Sequence, residues 1–442
     1  MGYGQSWLFR YPAPAPLPSA PVAEPPKAAT PKRSSLRRPS SGDIEPIETT
    51  SLQDRDVGAF SLQPIAADRL LVTTPWAICD LRFQHETQTF QLSPLGLAQD
   101  AAAMDDVDRA MVMAGTPPDA SFLSSDILHL SATERVLLLV YQELHGKCCV
   151  VLQPVGQAAS SKTRQRLEQN DVPLKTVSMA VEVGDASFHG ALLFRHDAIV
   201  AVGYVSGANA AIELDADTFA TFFPHLVGFH HAVTAYHSVR LEDTRIIALG
   251  CGNGVVHFVQ GPACLDSIGN DFATATFEID GPVSDINVCS PRRTDGASSG
   301  VTCMALVSGS IGYAVVYADP FDASASPSLL PDSDYYDSIL CCASADVDFD
   351  GEMELLLGSF SNALVAYKAT TSPDGVRSWH LEPRTKWDFF FFGPVYSIVV
   401  QDMNGDGVDE IVIASTDGIH VLEPDCDLVL AKLQAVLALL QT

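Results

Sequence analysis

The amino-acid sequence predicts an all-β chain, a seven-bladed β-propeller with a disordered N-terminal arm and a short C-terminal helix. Three observations carry that expectation. One unit recurs along the chain: an apolar strand, a small-residue turn, then a strand ending in an aromatic or aliphatic residue. A turn cue precedes each of the last three units, as Gly281-Pro-Val-Ser, Asp337-Ser-Ile-Leu and Gly393-Pro-Val-Tyr, at intervals of 56 residues. At the same 56-residue interval an acidic pattern, D-x-[DN]-x-D-G-x-x-E, is written twice, beginning at Asp346 and at Asp402. Self-similarity at blade length points to a repeat fold, because each unit buries its faces only against its neighbours.

Residues 1–55 read as a disordered arm. Pro12-Ala-Pro14-Ala-Pro16-Leu-Pro18 is followed by Lys32-Arg-Ser-Ser-Leu-Arg-Arg-Pro-Ser40, and a segment so poor in aliphatic residues has little to bury. Residues 56–425 read as the propeller. Its seven units are Leu70–Phe83, Val136–Leu152, Ile199–Leu214, Ile246–Val259, Thr302–Tyr317, Glu354–Tyr367 and Glu410–Leu422, one for each blade. Gly156–Asn170, Ser290–Gly300, Ala318–Ser333 and Ala369–Lys386 read as loops leaving the blades. Residues 426–442 read as a helix capped by Asp425 or Asp427, with Leu430, Leu433, Leu437 and Leu440 along one face. That face either docks a partner or packs back on the last blade.

Composition excludes several classes. With 442 residues and 47% hydrophobic content the chain has material for a large core. No apolar run approaches the roughly 20 residues that cross a bilayer, so direct membrane insertion is not expected. Trp7-Leu-Phe-Arg10 gives way at once to prolines, which is no secretion signal. The ten cysteines show no C-x-x-C spacing and most sit in apolar runs, which is core usage in a reducing compartment. No asparagine begins an N-x-[ST] sequon, and the expected location is cytoplasmic. The net charge is −28; residues 1–56 hold seven Lys/Arg against six Asp/Glu, leaving 19 against 48 for the rest. Such a body is repelled by nucleic acid, by anionic lipid and by acidic polymers such as filamentous actin.

The acidic pattern carries the candidate chemistry. Asp346, Asp348, Asp350 and Glu354 in one copy, and Asp402, Asn404, Asp406 and Glu410 in the other, place oxygens at positions 1, 3, 5 and 9. Glycine stands at position 6 for the sharp turn, and such an oxygen set suits a hard cation, Ca2+ or Mg2+, in a structural role. An EF-hand needs a carboxylate at position 12, where Leu357 and Ile413 stand instead. Both copies run straight into apolar strands, Leu355-Leu-Leu-Gly358 and Ile411-Val-Ile-Ala414, so they are strand-to-strand turns. The alternative is an ion-free turn, since Asp and Asn bend chains through local hydrogen bonds. Matched oxygens at four offsets exceed what a turn needs, and unpaired carboxylates at one tip repel. The pattern resembles the FG-GAP repeats of integrin-like β-propellers.

Other motifs read as structural. Gly250-Cys-Gly252-Asn-Gly254 lacks the helix of a nucleotide fingerprint and reads as a blade turn. His225, His230, His231 and His237 lack the spacing of a helical zinc pair. Ser308-Gly-Ser310-Ile-Gly312 is not a nucleophile elbow. Met1-Gly2 with Ser6 fits a loose myristoylation pattern against a bulky Tyr3, and Arg37-Arg-Pro-Ser40 resembles a basophilic kinase substrate. No catalytic constellation emerges, so the chain is not read as an enzyme.

Beyond the repeat pattern, the C-terminal half resembles the kaptin family, the propeller subunits of the KICSTOR complex. Leu329-Leu-Pro331, Ser333-Asp334, Asp337-Ser338, Leu340-Cys341, the first acidic loop and Tyr367-Lys368 carry the likeness. Ala248-Leu-Gly-Cys251 and Gly281-Pro282 upstream, and Gly405-Asp-Gly407, Glu410 and Gly418-x-His420-x-Leu422 downstream, extend it. The resemblance implies a non-catalytic scaffold that recruits the GATOR inhibitor to the lysosomal (vacuolar) surface and restrains TOR signalling when nutrients fall. The implied partners are a second FG-GAP propeller and the other KICSTOR subunits. An actin-associated protein and an integrin-like adhesion propeller are the alternatives.

Overall fold

The computed structural model describes residues 3–11, 60–96, 104–131, 134–144, 146–156, 164–183, 186–205, 211–241, 244–262, 272–289, 303–372, 377–383, 389 and 391–440. The chain opens with strand β1 (Tyr3–Phe9). Antiparallel four-stranded sheets then follow in chain order. The first blade is β2 (Ser61–Ala66), β3 (Arg69–Thr73), β4 (Ile78–Gln84) and β5 (Thr89–Pro94). The second is β6 (Ser121–His129), β7 (Arg135–Gln142), β8 (Cys148–Val155) and β9 (Gln165–Gln169). The third is β10 (Lys175–Val183), β11 (Ala186–Phe194), β12 (Ile199–Gly203) and β13 (Ile212–Glu213). The fourth is β14 (Val233–Leu241), β15 (Thr244–Cys251), β16 (Val255–Pro262) and β17 (Ala273–Glu278). The fifth is β18 (Val283–Cys289), β19 (Met304–Gly309), β20 (Ala314–Tyr317) and β21 (Ser328–Leu329). The sixth is β22 (Ile339–Ala345), β23 (Glu354–Ser359), β24 (Leu364–Thr371) and β25 (Arg377–Leu381). The seventh takes β26 (Val395–Gln401), β27 (Glu410–Ser415) and β28 (Gly418–Pro424) from the C-terminal end and β1 from the other.

Blades form where the central strands are apolar on both faces. β7 and β8 are buried almost throughout, since each blade is sandwiched between two others. The core is therefore divided into inter-blade layers. One layer joins Leu71 of blade one to Leu137 of blade two. Another joins Leu306 of blade five to Leu355 of blade six. A third joins Leu70 and Val72 of blade one to Val412 and Val421 of blade seven, and that layer closes the ring.

The ring closes through the segment that composition assigns to a disordered arm, and residues 3–9 correct that expectation. β1 runs antiparallel to β28, with Tyr3 opposite Pro424 and Phe9 opposite Ile419. Trp7 and Phe9 pack on the layer between blades seven and one. The physical reason is closure: a propeller whose last blade lacks its outer strand leaves an apolar face and a hydrogen-bonding edge in water. The remainder of the arm, residues 12–55, lies outside the described residues.

Three of the predicted loops contain outer strands. Gly156–Asn170 holds β9, Ala318–Ser333 holds β21, and Ala369–Lys386 holds β25; Ser290–Gly300 lies outside the described residues. Outer strands face solvent, so their polar sequences read as loop. The third repeat unit also shifts by one strand, to β11–β12 in place of Ile199–Leu214, because β11 begins with the small and polar Ala186-Ser-Phe-His189. Two connecting helices add to the β-fold: α1 (Asp106–Ala114), capped by Asp105, and α2 (Ala216–Phe222), capped by Asp215. At the C-terminus α3 (Cys426–Leu440) forms as expected, with Asp425 Oδ1 accepting from the Asp427 backbone N–H at 3.0 Å.

Candidate functional site

Each acidic loop joins the innermost strand of a blade to the next: residues 346–353 between β22 and β23, and residues 402–409 between β26 and β27. Both wrap their backbone around the first aspartate. Asp346 accepts from the N–H of Asp350 at 3.1 Å and of Gly351 at 2.8 Å. Asp402 accepts from the N–H of Asp406 at 3.1 Å and of Gly407 at 2.9 Å. The fifth position repeats the scheme, with Asp350 accepting from Glu352 N–H and Asp406 from Val408 N–H, both at 2.9 Å. Gly351 and Gly407 take φ of 90° and 89°, the left-handed region that explains glycine at position six.

The glutamates close each loop from beneath. Both are fully buried. Glu354 accepts from Val347 N–H at 2.9 Å, and Glu410 from Met403 N–H at 2.8 Å. Burial pushes both carboxyls up to about 7, with repulsion from Asp348 in the first loop and from Asp406, Asp402 and Glu423 in the second. One ligand atom each from Asp346, Asp348 and Glu354 lies within 4.8 Å of the others.

The loops part company at their centres. In the first, the Lys368 ammonium lies 2.5 Å from Asp348 Oδ2, 2.5 Å from Asp350 Oδ2 and 3.2 Å from Glu354 Oε1. Burial pulls this ammonium down, but its bonds to the carboxylates win and hold it well above the ordinary lysine range. Three of the four predicted ligands are thus already occupied by a positive charge from the chain itself. In the second loop the central donor is an amide: Asn404 Nδ2 donates to Asp406 Oδ2 at 3.0 Å and to Glu410 Oε1 at 2.6 Å. Registers explain the difference. One step beyond the Leu355–Tyr367 pair, Lys368 falls opposite Glu354; one step beyond Ile411–Leu422, the residue opposite Glu410 is Glu423.

Strand β1 touches both loops. The Tyr3 hydroxyl donates to the Asp409 carbonyl at 2.7 Å, and its ring stacks on Phe349 at 5.7 Å. Phe349 sits at φ 59°, where the second loop has Gly405 at φ 77°. Lys368, Glu423, Tyr3 and Phe349 were not among the predicted site residues. Counting outward from the β23–β24 and β27–β28 turns finds the first two, whereas nothing local announces Tyr3.

The central channel opens into a cavity of about 370 Å³ lined by innermost strands, including Gln63, His237, Asp285 and Asn287. Its polar groups bind blade to blade. Asp285 accepts from Cys342 N–H at 3.0 Å, His237 Nδ1 from Val288 N–H at 3.1 Å, and Asn287 Oδ1 from the Ser344 hydroxyl at 3.0 Å. Gly252–Gly254 forms the β15–β16 turn, and Ser310–Gly312 lies in the β19–β20 turn. His225, His230 and His231 lie in the connection to β14, and His237 within it. Gly2 and Ser40 lie outside the described residues. On α3, Leu430, Leu433 and Leu437 are 54%, 55% and 56% exposed, so this face does not pack back on the last blade; the Leu440 side chain lies outside the described residues. Among the described residues no helix is long and apolar enough to cross a membrane.

A mouse protein, KICSTOR complex protein kaptin, is 28% identical over 264 residues, 58% of this chain and 59% of its own length. The match therefore spans less than two thirds of that relative. Two crystal structures of BBS1N in complex with ARL6DN, soaked with mercury and with lead, are similar at 10% identity with TM-scores of 0.43 and 0.42. They cover 84% and 83% of this chain, and 94% and 91% of the solved chains. The family described as KICSTOR complex protein kaptin matches residues 208–434, more than half of the chain, and the chain belongs to that family.

Proposed function

We propose that this chain is a non-catalytic scaffold subunit of a KICSTOR-like complex. In that role it helps recruit the GATOR inhibitor to the lysosomal surface and restrains TOR signalling when nutrients fall. The observation that carries the reading is the family match over residues 208–434. The exposed leucines of α3 add an apolar surface that partner subunits cover in this reading. Affinity purification of the tagged full-length chain tests it. A second FG-GAP propeller and further KICSTOR subunits should co-purify, and truncation after Asp425 should weaken that recovery while the propeller still melts cooperatively. A chain recovered alone, whose loss leaves TOR activity unchanged on starvation, removes the reading.

The second acidic loop is proposed as a structural divalent-cation site, held by Asp402, Asn404, Asp406 and Glu410. The donor set is all oxygen once the Asn404 amide turns its carbonyl inward, which suits Ca2+ or Mg2+. The cation would supply the positive charge that the buried Glu410 and its neighbour Glu423 lack. Chelation should lower the melting temperature and calcium restore it; identical melting curves with and without calcium defeat the proposal.

A further inference from the structure

We propose that the Lys368 ammonium is the resident cation of the first acidic loop, so that Asp346, Asp348, Asp350 and Glu354 take no divalent ion while that side chain is charged. The sequence pattern alone treats the two loops as equivalent. The structure separates them by one residue, which reaches the loop from β24 across the sheet rather than from within the pattern.

Three facts converge on the assignment. Lys368 contacts carboxylates from loop positions 3, 5 and 9 at 2.5 Å, 2.5 Å and 3.2 Å, so a single ammonium bridges three of the four predicted ligands. Its location is enforced, because Lys368 follows Tyr367 in β24 and Tyr367 is fully buried, its hydroxyl donating to the Pro331 carbonyl at 2.9 Å. The loop's remaining charge is also answered locally: Asp346 is engaged by two backbone N–H groups, and Arg377 reaches Glu352 at 3.2 Å. A divalent ion entering this loop has to expel an ammonium that already meets three carboxylates. It then leaves that ammonium next to a double positive charge, which Coulomb repulsion opposes strongly at such short range.

The inference uses the cation-loop reading of the pattern but not the occupancy of the second loop, and the experiment keeps the two apart. Calcium bound per full-length chain is counted by equilibrium dialysis in Asp406→Ala, which silences the second loop, and in Asp406→Ala with Lys368→Gln. The expected counts are none in the first variant and one ion in the second, with a melting temperature that becomes calcium-dependent only when Lys368 is neutralised. Calcium bound to the Asp406→Ala chain with Lys368 intact overturns the proposal. A double variant that melts cooperatively yet binds no calcium overturns it as well. If Lys368→Gln fails to fold, Lys368→Met provides the second chain, and the count with Lys368 intact still decides. An unmodified chain without calcium removes the reading of the second loop and leaves this count standing.

Discussion

The acidic loops of blades six and seven share a sequence pattern, a position between the two innermost strands and nearly every internal hydrogen bond. They differ at the residue facing the buried glutamate. Across the β23–β24 ladder it is Lys368, and across β27–β28 it is Glu423. The first loop therefore receives an ammonium against three of its carboxylates, and the second adds a carboxylate to a site that already repels itself. A motif of this kind specifies a cage of backbone and oxygens, while the charge of the cage is decided across the sheet. The comparison also assigns β1 a second task, since Tyr3 lies against Phe349 of one loop and Asp409 of the other.

The most severe way to break the comparison is to remove what the loops share. Deleting residues 3–11 takes away β1 with Trp7 and Phe9, and burying an aromatic side chain is worth about 1.5–3 kcal/mol. The loss should be on the order of 5 kcal/mol in denaturant melts, with faster hydrogen exchange in both loops; exchange unchanged in either shows that Tyr3 does not clasp it.

The buried glutamates offer a pH test. The Glu410 carboxyl rises from 4.5 to about 7 on folding. The folded state therefore holds the extra proton between those values, and stability falls as pH climbs through that window. Without divalent cations this costs roughly 3 kcal/mol between pH 4.5 and 7. Glu410→Gln should flatten that part of the pH–stability curve and stabilise the ion-free chain at neutral pH. Glu354→Gln should flatten it as well, since that carboxyl also rises to about 7, while leaving the charged Lys368 with one carboxylate fewer. A pH–stability curve that neither substitution changes shows that these buried carboxyls do not set it.

Glu423→Lys sharpens the comparison from the other side by giving the second loop its own ammonium. The calcium-dependent part of the stability should vanish, a loss of about 2.7 kcal/mol at a hundredfold excess of ion over Kd. A retained calcium response in differential scanning calorimetry speaks against control from across the ladder. The smallest expected effect is that of Tyr3→Phe, which deletes only the hydroxyl bond to the Asp409 carbonyl and should cost about 1 kcal/mol. The second loop should exchange its amide hydrogens faster while the first, held through the ring, keeps its rate.

Much of this was legible in the chain because it is local. Apolar runs such as Arg135-Val-Leu-Leu-Leu-Val-Tyr-Gln142 mark central strands, since a strand covered on both faces has no room for polar alternation. The acidic loops are also local, because an aspartate bonds to N–H groups four and five residues on. Outer strands escaped because their sequences answer to solvent: β25 is Arg-Ser-Trp-His-Leu, and β21 has only two exposed residues. β1 escaped for a different reason. Trp7-Leu-Phe9 is visibly apolar, but its partner lies at Gly418–Pro424, and no periodicity near the N-terminus points there.

The sequence by itself determined the repeat, the seven blades, the position of both acidic loops and the C-terminal helix, all of which follow from propensities and hydrogen bonds within a few residues. Only the tertiary structure decided that the first strand completes the last blade, that one tyrosine bridges two loops, and that one loop carries its own cation. Those facts depend on strand register and ring closure, which bring together groups from distant parts of the chain, and a charge facing a buried carboxylate acts through distance in space, not separation in sequence.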